Sequence, residues 1–285
     1  MAKAHNVRRA MKPDSKTKRS RDHLPTKEEL EEKLKMTKWG KTFLTQFLDR
    51  ADRNTLISYC NLRGYFEVFE NLAKLFVDLL DQVSWSDEND LPLSLLLGRT
   101  CGSFLAAIRL LSGTQPSESY AQLRVCLESA LYAFNIHHEP ALAKVWVDRH
   151  NSDEKRKECK RKFSPQAILK LLTTENRRLA MAIARDYEGC IDFGAHPNER
   201  SVFPNLRITG HQGRQEMQLA LLNPSRAFLE GSMLVCARAA LSAIKIYELV
   251  CPDEWRSANA TEKVHTIKAT LDTISPGVVH RLRSL

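Results

Sequence analysis

The chain has no Cys-x-x-Cys pair, no Gly-x-Gly-x-x-Gly or Walker-type loop and no Gly-x-Ser-x-Gly elbow. Nucleotide-dependent chemistry and triad hydrolysis therefore have no sequence support, because both need glycines where a backbone cradles a phosphate or turns sharply at a nucleophile. No apolar stretch reaches the roughly 20 residues of a membrane span, since the most apolar helical segment, near Met233 to Tyr247, carries Arg238 and Lys245. The N-terminus is charged and lacks the apolar run of a signal peptide. Aromatic residues make up only 7% of the chain, and no internal repeat of fixed period is present.

Seven cysteines stand at 60, 101, 126, 159, 190, 236 and 251. Their wide spacing, mostly within apolar helical patterns, suits reduced thiols packed in the core of a cytoplasmic protein, not a disulfide or zinc framework. Net charge is +9, but the first 23 residues hold eight cations against Asp14 and Asp22. They carry +6, which leaves +3 for the other 262 residues. The eight cations are Lys3, Arg8, Arg9, Lys12, Lys16, Lys18, Arg19 and Arg21. Residues 1–23 are predicted to be a disordered basic tail, either a solubilising extension or a segment that neutralises phosphates of RNA or DNA without sequence preference. No aromatic residue interleaves to stack bases. The basic stretch Arg156 to Phe163 could extend that footprint or be a solvated face.

Residues 24–285 are predicted to form one domain, 43% of the whole chain being hydrophobic. Thr26 and Glu29 have capping-box spacing, which opens a first helix. Leu62, Phe66, Phe69, Ala73, Phe76, Leu80 and Val83 recur at steps of three and four and predict a long core-facing helix capped by Asn54. Helices follow over Leu93 to Leu111 and Ser117 to His138, then a shorter one over Ala141 to His150. "RHNSDEKRKECKRKF" is a linker or an exposed helix. Ser164-Pro165 launches the next helix, and another spans Glu175 to His196. The period then changes: segments around 203–222 read as a β-hairpin, with Pro204 confining the first strand to an edge. Asn223-Pro224 caps a long helix to Val250, and a last one spans Thr261 to Ile274. The expected fold is mainly α, a multi-helix antiparallel bundle with one small inserted hairpin.

"RDYEGCIDFGAHPNERSVF" carries more polar groups than a helix stop requires. On a helix, Leu179, Ile183, Tyr187 and Cys190 share one face, whereas Arg185, Glu188, Asp192 and His196 share another. His196 before Pro197 ends the helix, where the dipole and Asp192 one turn earlier would both favour its cationic form. In "QLRVCLESALYAF", Arg124 and Glu128 stand four apart beside the Leu123, Leu127 and Leu131 stripe. If the two helices face each other, Arg124, Glu128, Asp192 and His196 converge into a pocket suited to acid–base work or to holding an anion. The bland alternative is a solvated ion-pair face with an ordinary helix stop. Adjacent His137 and His138 diverge by about 100° on a helix and make poor co-ligands, so no metal or cofactor is expected.

"AQLRVCLESALYAF" followed by "DFGAHPNERS" and a hairpin resembles a group of uncharacterised bacterial helical domains with an Arg-x-x-x-Glu helix and a His-Pro-Asn turn. That group resembles the HEPN superfamily of helical, often RNA-associated proteins. The likeness covers Asn54 to Tyr247. HEPN ribonucleases pair an Arg with a His a few residues away to act on the RNA phosphate. None of the nine histidines here has that spacing: three residues separate Arg207 from His211 and ten separate Arg185 from His196. The function expected is that of a non-enzymatic intracellular interaction or accessory protein, nucleic-acid-associated through its tail, with a polar pocket. A protein partner or homodimer is open, and no membrane is involved. The alternative is a HEPN-like enzyme acting on RNA or another phosphodiester or nucleotide.

Overall fold

The structure, a computed structural model, describes residues 26–83, 90–211 and 214–283. The basic tail with its eight cations and most of the loop "SWSDENDLP" lie outside the described residues. The fold is a helical bundle with one two-stranded antiparallel sheet, as the periodicity predicts.

Helix α1 (Lys27–Lys35) opens with the reciprocal bonds its capping box requires: Thr26 N–H donates to Glu29 Oε2 (2.8 Å) and Glu29 N–H to Thr26 Oγ1 (3.2 Å). Asn54 caps nothing; it lies inside α2 (Phe43–Asn61), and its amide donates to Thr114 Oγ1 at 2.8 Å. The break comes at Leu62, whose φ and ψ of −124° and 37° leave the helical region, and α3 (Arg63–Gln82) follows. The face of α3 that is buried is centred on Val68, Phe69, Leu72, Leu75, Phe76 and Leu79. Phe66, Ala73, Leu80 and Val83 pack at its margin.

Helices α4 (Asp90–Ser112) and α5 (Pro116–His138) come next, with Thr114 in the tight left-handed turn between them (φ 66°). The segment Leu91–Ser112 is, by length and composition, apolar enough to cross a membrane, contrary to the sequence expectation. Its hydropathy has a packing role: α4 lies against α3, α5 and α11. After α6 (Leu142–Val147) and a 3-10 turn at Asp148–His150, the charged stretch is an exposed helix, α7 (Asp153–Lys162), with Cys159 its one buried residue. α8 (Pro165–Glu175) starts at its proline, although the Ser164 hydroxyl turns to Gln166 and does not cap. α9 (Arg177–Cys190) is capped by Asn176 and ends well before His196.

A one-turn helix α10 (Glu199–Val202) leads into the hairpin of β1 (Leu206–His211) and β2 (Arg214–Leu219), in register from Leu206↔Leu219 to His211↔Arg214. Phe203 to Asn205 form a 3-10 turn, so Pro204 stays out of the strand, where its missing N–H would cost a ladder bond. Asn223 does not cap the next helix; its Oδ1 accepts from Ser225 N–H (3.0 Å), and α11 (Arg226–Val250) begins one residue later. α12 (Pro252–Ser257) and α13 (Ala260–Arg283) complete the chain, the last extending beyond the expected Ile274.

The bundle is organised by α5, buried among α4, α8, α9 and α11. Its sequence is apolar or small nearly all round, which is the pattern of a central helix. α11 contributes Cys236, Ala237, Ala239, Ala240 and Ala243, all buried, and these small side chains let α4 and α5 approach closely. Two buried polar pairs link the central helices: Tyr120 donates to Ser232 Oγ (3.1 Å), and Thr100 and Tyr247 share a 2.9 Å bond. Phe104 meets Phe69 and Phe76 with ring centroids 6.1 Å and 5.7 Å apart.

All seven cysteines are free; five are buried, Cys251 is half-buried and Cys60 is exposed. Burial pushes the Cys101 thiol up to about 11 and Cys251 to about 12, so both stay neutral and poorly nucleophilic at physiological pH. A disulfide-exchange reagent is expected to modify one thiol rapidly in the native protein and all seven in denaturant. Rapid modification of several native thiols would contradict this core. Phe104→Ala is expected to cost about 3–5 kcal/mol in urea unfolding, because the ring is fully buried against Phe69 and Phe76.

Candidate functional site

Because α5 is covered on most sides, the residues it leaves part-exposed are informative: Arg124 and Glu128 lie on that strip, with side chains 29% and 24% exposed. Arg124 Nε donates to Glu128 Oε1 at 2.9 Å, the bond their spacing of four permits. The Tyr187 hydroxyl of α9 donates to the same carboxylate oxygen at 2.8 Å, and the guanidinium lies over the Tyr187 ring, 5.4 Å from its centroid. Arg124 Nη1 then donates to His196 Nε2 at 3.0 Å. Three of the four residues singled out in the sequence are therefore joined through one guanidinium.

Asp192 is not among them. α9 stops at Cys190, and a wide π-type turn over Ile191–Ala195 carries the chain off the helical face on which Asp192 and His196 were expected to align. Asp192 instead accepts from Arg200 Nη1 at 2.6 Å, on the surface. The expected carboxylate partner of the imidazole is thus replaced by a cation. A guanidinium has no lone pair to offer, so Nε2 is the acceptor and the ring proton sits on Nδ1. Glu188 and Arg185 do not join the site either; Arg185 turns to Asp186.

The turn that presents His196 is pinned at several points. Gly194 presses on the first turn of α5, where an added Cβ would lie 1.7 Å from the Ser117 carbonyl oxygen. Phe193 packs on Tyr120 with ring centroids 5.8 Å apart. Asn198, the residue after Pro197, accepts from Ser201 N–H (3.0 Å) and donates to the Ile191 carbonyl (3.4 Å). Ser117 donates to the Ser201 carbonyl (3.2 Å) and accepts from Asn205 (3.2 Å). Asn223 donates to the Pro204 carbonyl and to Asn205 Oδ1, both at 2.9 Å. Of the polar residues after α9, Ser201 and Asn205 fasten the segment to Ser117 of α5, and Asn198 braces the turn internally.

Electrostatics favours the protonated forms of Tyr187 and Arg124. Burial and the bond to Glu128 both raise the Tyr187 phenol well above its ordinary 10.0, so it remains a donor. For Arg124, burial opposes the charge, but Glu128 and Tyr187 outweigh it and the net shift is upward. Tyr187 reads in the sequence as an apolar face residue. The signal available was that a buried tyrosine needs a hydroxyl partner, and Glu128 supplies it. Asp186, 2% exposed, is another residue the sequence reading passed over: Arg185 and Arg238 both donate to its Oδ1, fixing α9 to α11.

No protein-family model, curated protein or solved structure matches this chain. Among the described residues no group of three His, Cys, Asp or Glu side chains could hold a metal. His138 pairs with Glu175. A cleft of about 480 Å³ lies elsewhere, between Phe43, Phe47 and Asn54 of α2 and Leu219 to Leu222.

Gly194→Ala is expected to destabilise the fold strongly, with His196 displaced, since the contact it would violate is backbone. Unfolding of this variant with wild-type stability would contradict the close approach. For Tyr187 the raised value means that its stabilising contribution is complete below pH 10 and is lost as pH rises through the higher folded value. In an alkaline absorbance titration, Tyr187→Phe is expected to remove one late-ionising tyrosine. Loss of an early one would show that the phenol is free.

Proposed function

We propose that this chain acts on a phosphodiester, with RNA as the substrate class, at the Arg124–His196 pair. The observation that supports this reading is the part-exposed guanidinium held by Glu128 and Tyr187 and joined to an imidazole whose Nε2 is an acceptor. An incoming phosphate takes the Nη1–H bond from His196, as guanidinium groups do with oxyanions. This frees Nε2 beside the bound anion. The imidazole then takes the proton of the adjacent ribose 2′-hydroxyl, whose oxygen attacks phosphorus. The 5′-oxygen leaves with a proton from solvent or the imidazolium, giving a 2′,3′-cyclic phosphate and a 5′-hydroxyl. Arg124 stabilises charge on the phosphoryl oxygens, Glu128 keeps the guanidinium in place, and the basic tail raises the local concentration of RNA.

The non-enzymatic reading has its own support. Every side chain of the cluster already has a partner, so the network also suits a purely structural fastening of the turn to α5. On that reading the protein is an accessory or interaction protein, and RNA is held by the tail alone.

Incubation of full-length protein with RNA separates the two. Cleavage leaving 2′,3′-cyclic ends, lost by at least about 100-fold in Arg124→Ala and His196→Ala while both stay folded, is the expected result. RNA that stays intact, and is retained only when residues 1–23 are present, overturns the enzymatic reading.

A further inference from the structure

The hairpin has an apolar face that the described residues leave largely uncovered. Side chains alternate across a strand, and the register pairs Ile208 with Met217 and Leu206 with Leu219, so these four share one face while Arg207, Thr209 and Glu216 lie on the other. Residues 207–210 and 216–219 are exposed, and among the described residues neither strand packs closely on a helix. The hairpin is therefore an arm standing off the bundle. A two-stranded ribbon is marginal in water unless its apolar face is packed against something.

Beside the arm lies a cleft of matching chemistry. Leu219 and Leu221, at the root of the arm, line the cleft of about 480 Å³ together with Phe43, Phe47 and Arg50 of α2. Leu219 belongs to both surfaces, so arm and cleft form one continuous apolar run, with Ile208 and Met217 farther out along the arm. Phe43, Ile208, Met217, Leu219 and Leu221 are each 50–74% exposed. Taking about 200 Å² for a large side chain fully exposed, they present on the order of 600 Å² of apolar surface. That is the upper end of what a monomer shows, and with Gln46, Arg50 and Glu216 at its rim it approaches the roughly 800 Å² that each partner buries in a stable interface. The charges are complementary as well. The acids next to Arg50 are taken, Asp49 by Arg53 and Asp52 by Arg109, and Glu216 of the arm has no ion pair among the described residues.

We infer that this surface binds a second copy of the same chain: two copies related by a two-fold axis exchange arms, with Ile208 and Met217 of each packed into the other's cleft against Phe43 and Phe47, and Glu216 of the arm meeting Arg50 of the cleft. A chain that carries ridge and cleft side by side makes both contacts at once in a two-fold pair, from one surface used twice. The inference is independent of the phosphodiester reading of Arg124 and His196.

The test is sedimentation velocity of the full-length chain over a concentration series, after nuclease treatment so that nucleic acid held by the tail does not link copies. A concentration-dependent dimer is expected. Met217→Asp is expected to weaken it about 100-fold, and Arg50→Glu and Glu216→Arg at least about tenfold each. The double variant, and an equimolar mixture of the two single variants, are expected to recover the dimer, because every cleft then meets an arm of opposite charge. All three positions are exposed in the single chain, so the circular dichroism of each variant is expected to match that of the wild type. Should Met217→Asp fail to fold, the two charge reversals and their mixture decide. A chain that stays monomeric at every concentration overturns the inference and leaves the surface to a different protein. A dimer indifferent to Met217→Asp and to both charge reversals also overturns it, since its interface then lies elsewhere. A mixture no tighter than the single variants overturns the reciprocal exchange of arms.

Discussion

Burial of α5 is the constraint on which the rest of the structure depends. A helix packed by α4, α8, α9 and α11 has almost no solvent face, and what it leaves part-exposed is a narrow strip. Polar groups on such a strip are not solvated freely, as they would be on a surface helix. Arg124 and Glu128 consequently bind each other and recruit Tyr187, so that charge, hydroxyl and ring are held in one geometry. The same crowding at the start of α5 demands a glycine where the turn after α9 crosses it.

What the sequence reveals follows from local physics. The capping box at Thr26, the apolar stripe of α5 and the Arg124–Glu128 spacing are short-range features, and each is found as expected. The convergence of Arg124 with His196 across 72 positions was a conditional expectation, since helix order around a bundle is not written in periodicity. Asp192 shows the limit most clearly. Its alignment with His196 assumed that an α-helix continued to the proline, whereas packing of Gly194 and Phe193 on α5 unwinds the last turn and rotates the carboxylate toward Arg200. Asn54 fails for a similar reason: its capping chemistry is used across the bundle on Thr114, not along the chain.

Buried acids show a second organising habit of the fold. Asp186 and Glu230 are each nearly inaccessible, and each draws an arginine whose head remains closer to the surface: Arg238 for the first and Arg226 for the second. The arginines carry the charge outward while their stems cover the core. α9 and α11 are tied by one of these pairs, so the position of Tyr187, the next residue, follows from it.

The bond between Arg124 and His196 has a thermodynamic corollary. One partner belongs to the most deeply embedded helix, the other to a short irregular segment whose attachments are a glycine contact and a handful of amide and hydroxyl bonds. Irregular segments of this kind open locally at far lower free energy than the bundle melts. Any molecule that bridges the two sides closes that opening, and mass action then couples its concentration to the protein's resistance to heat and proteolysis. Occupancy of the site is therefore legible as protection of residues 191–205, independent of whether any bond in the bound molecule is broken.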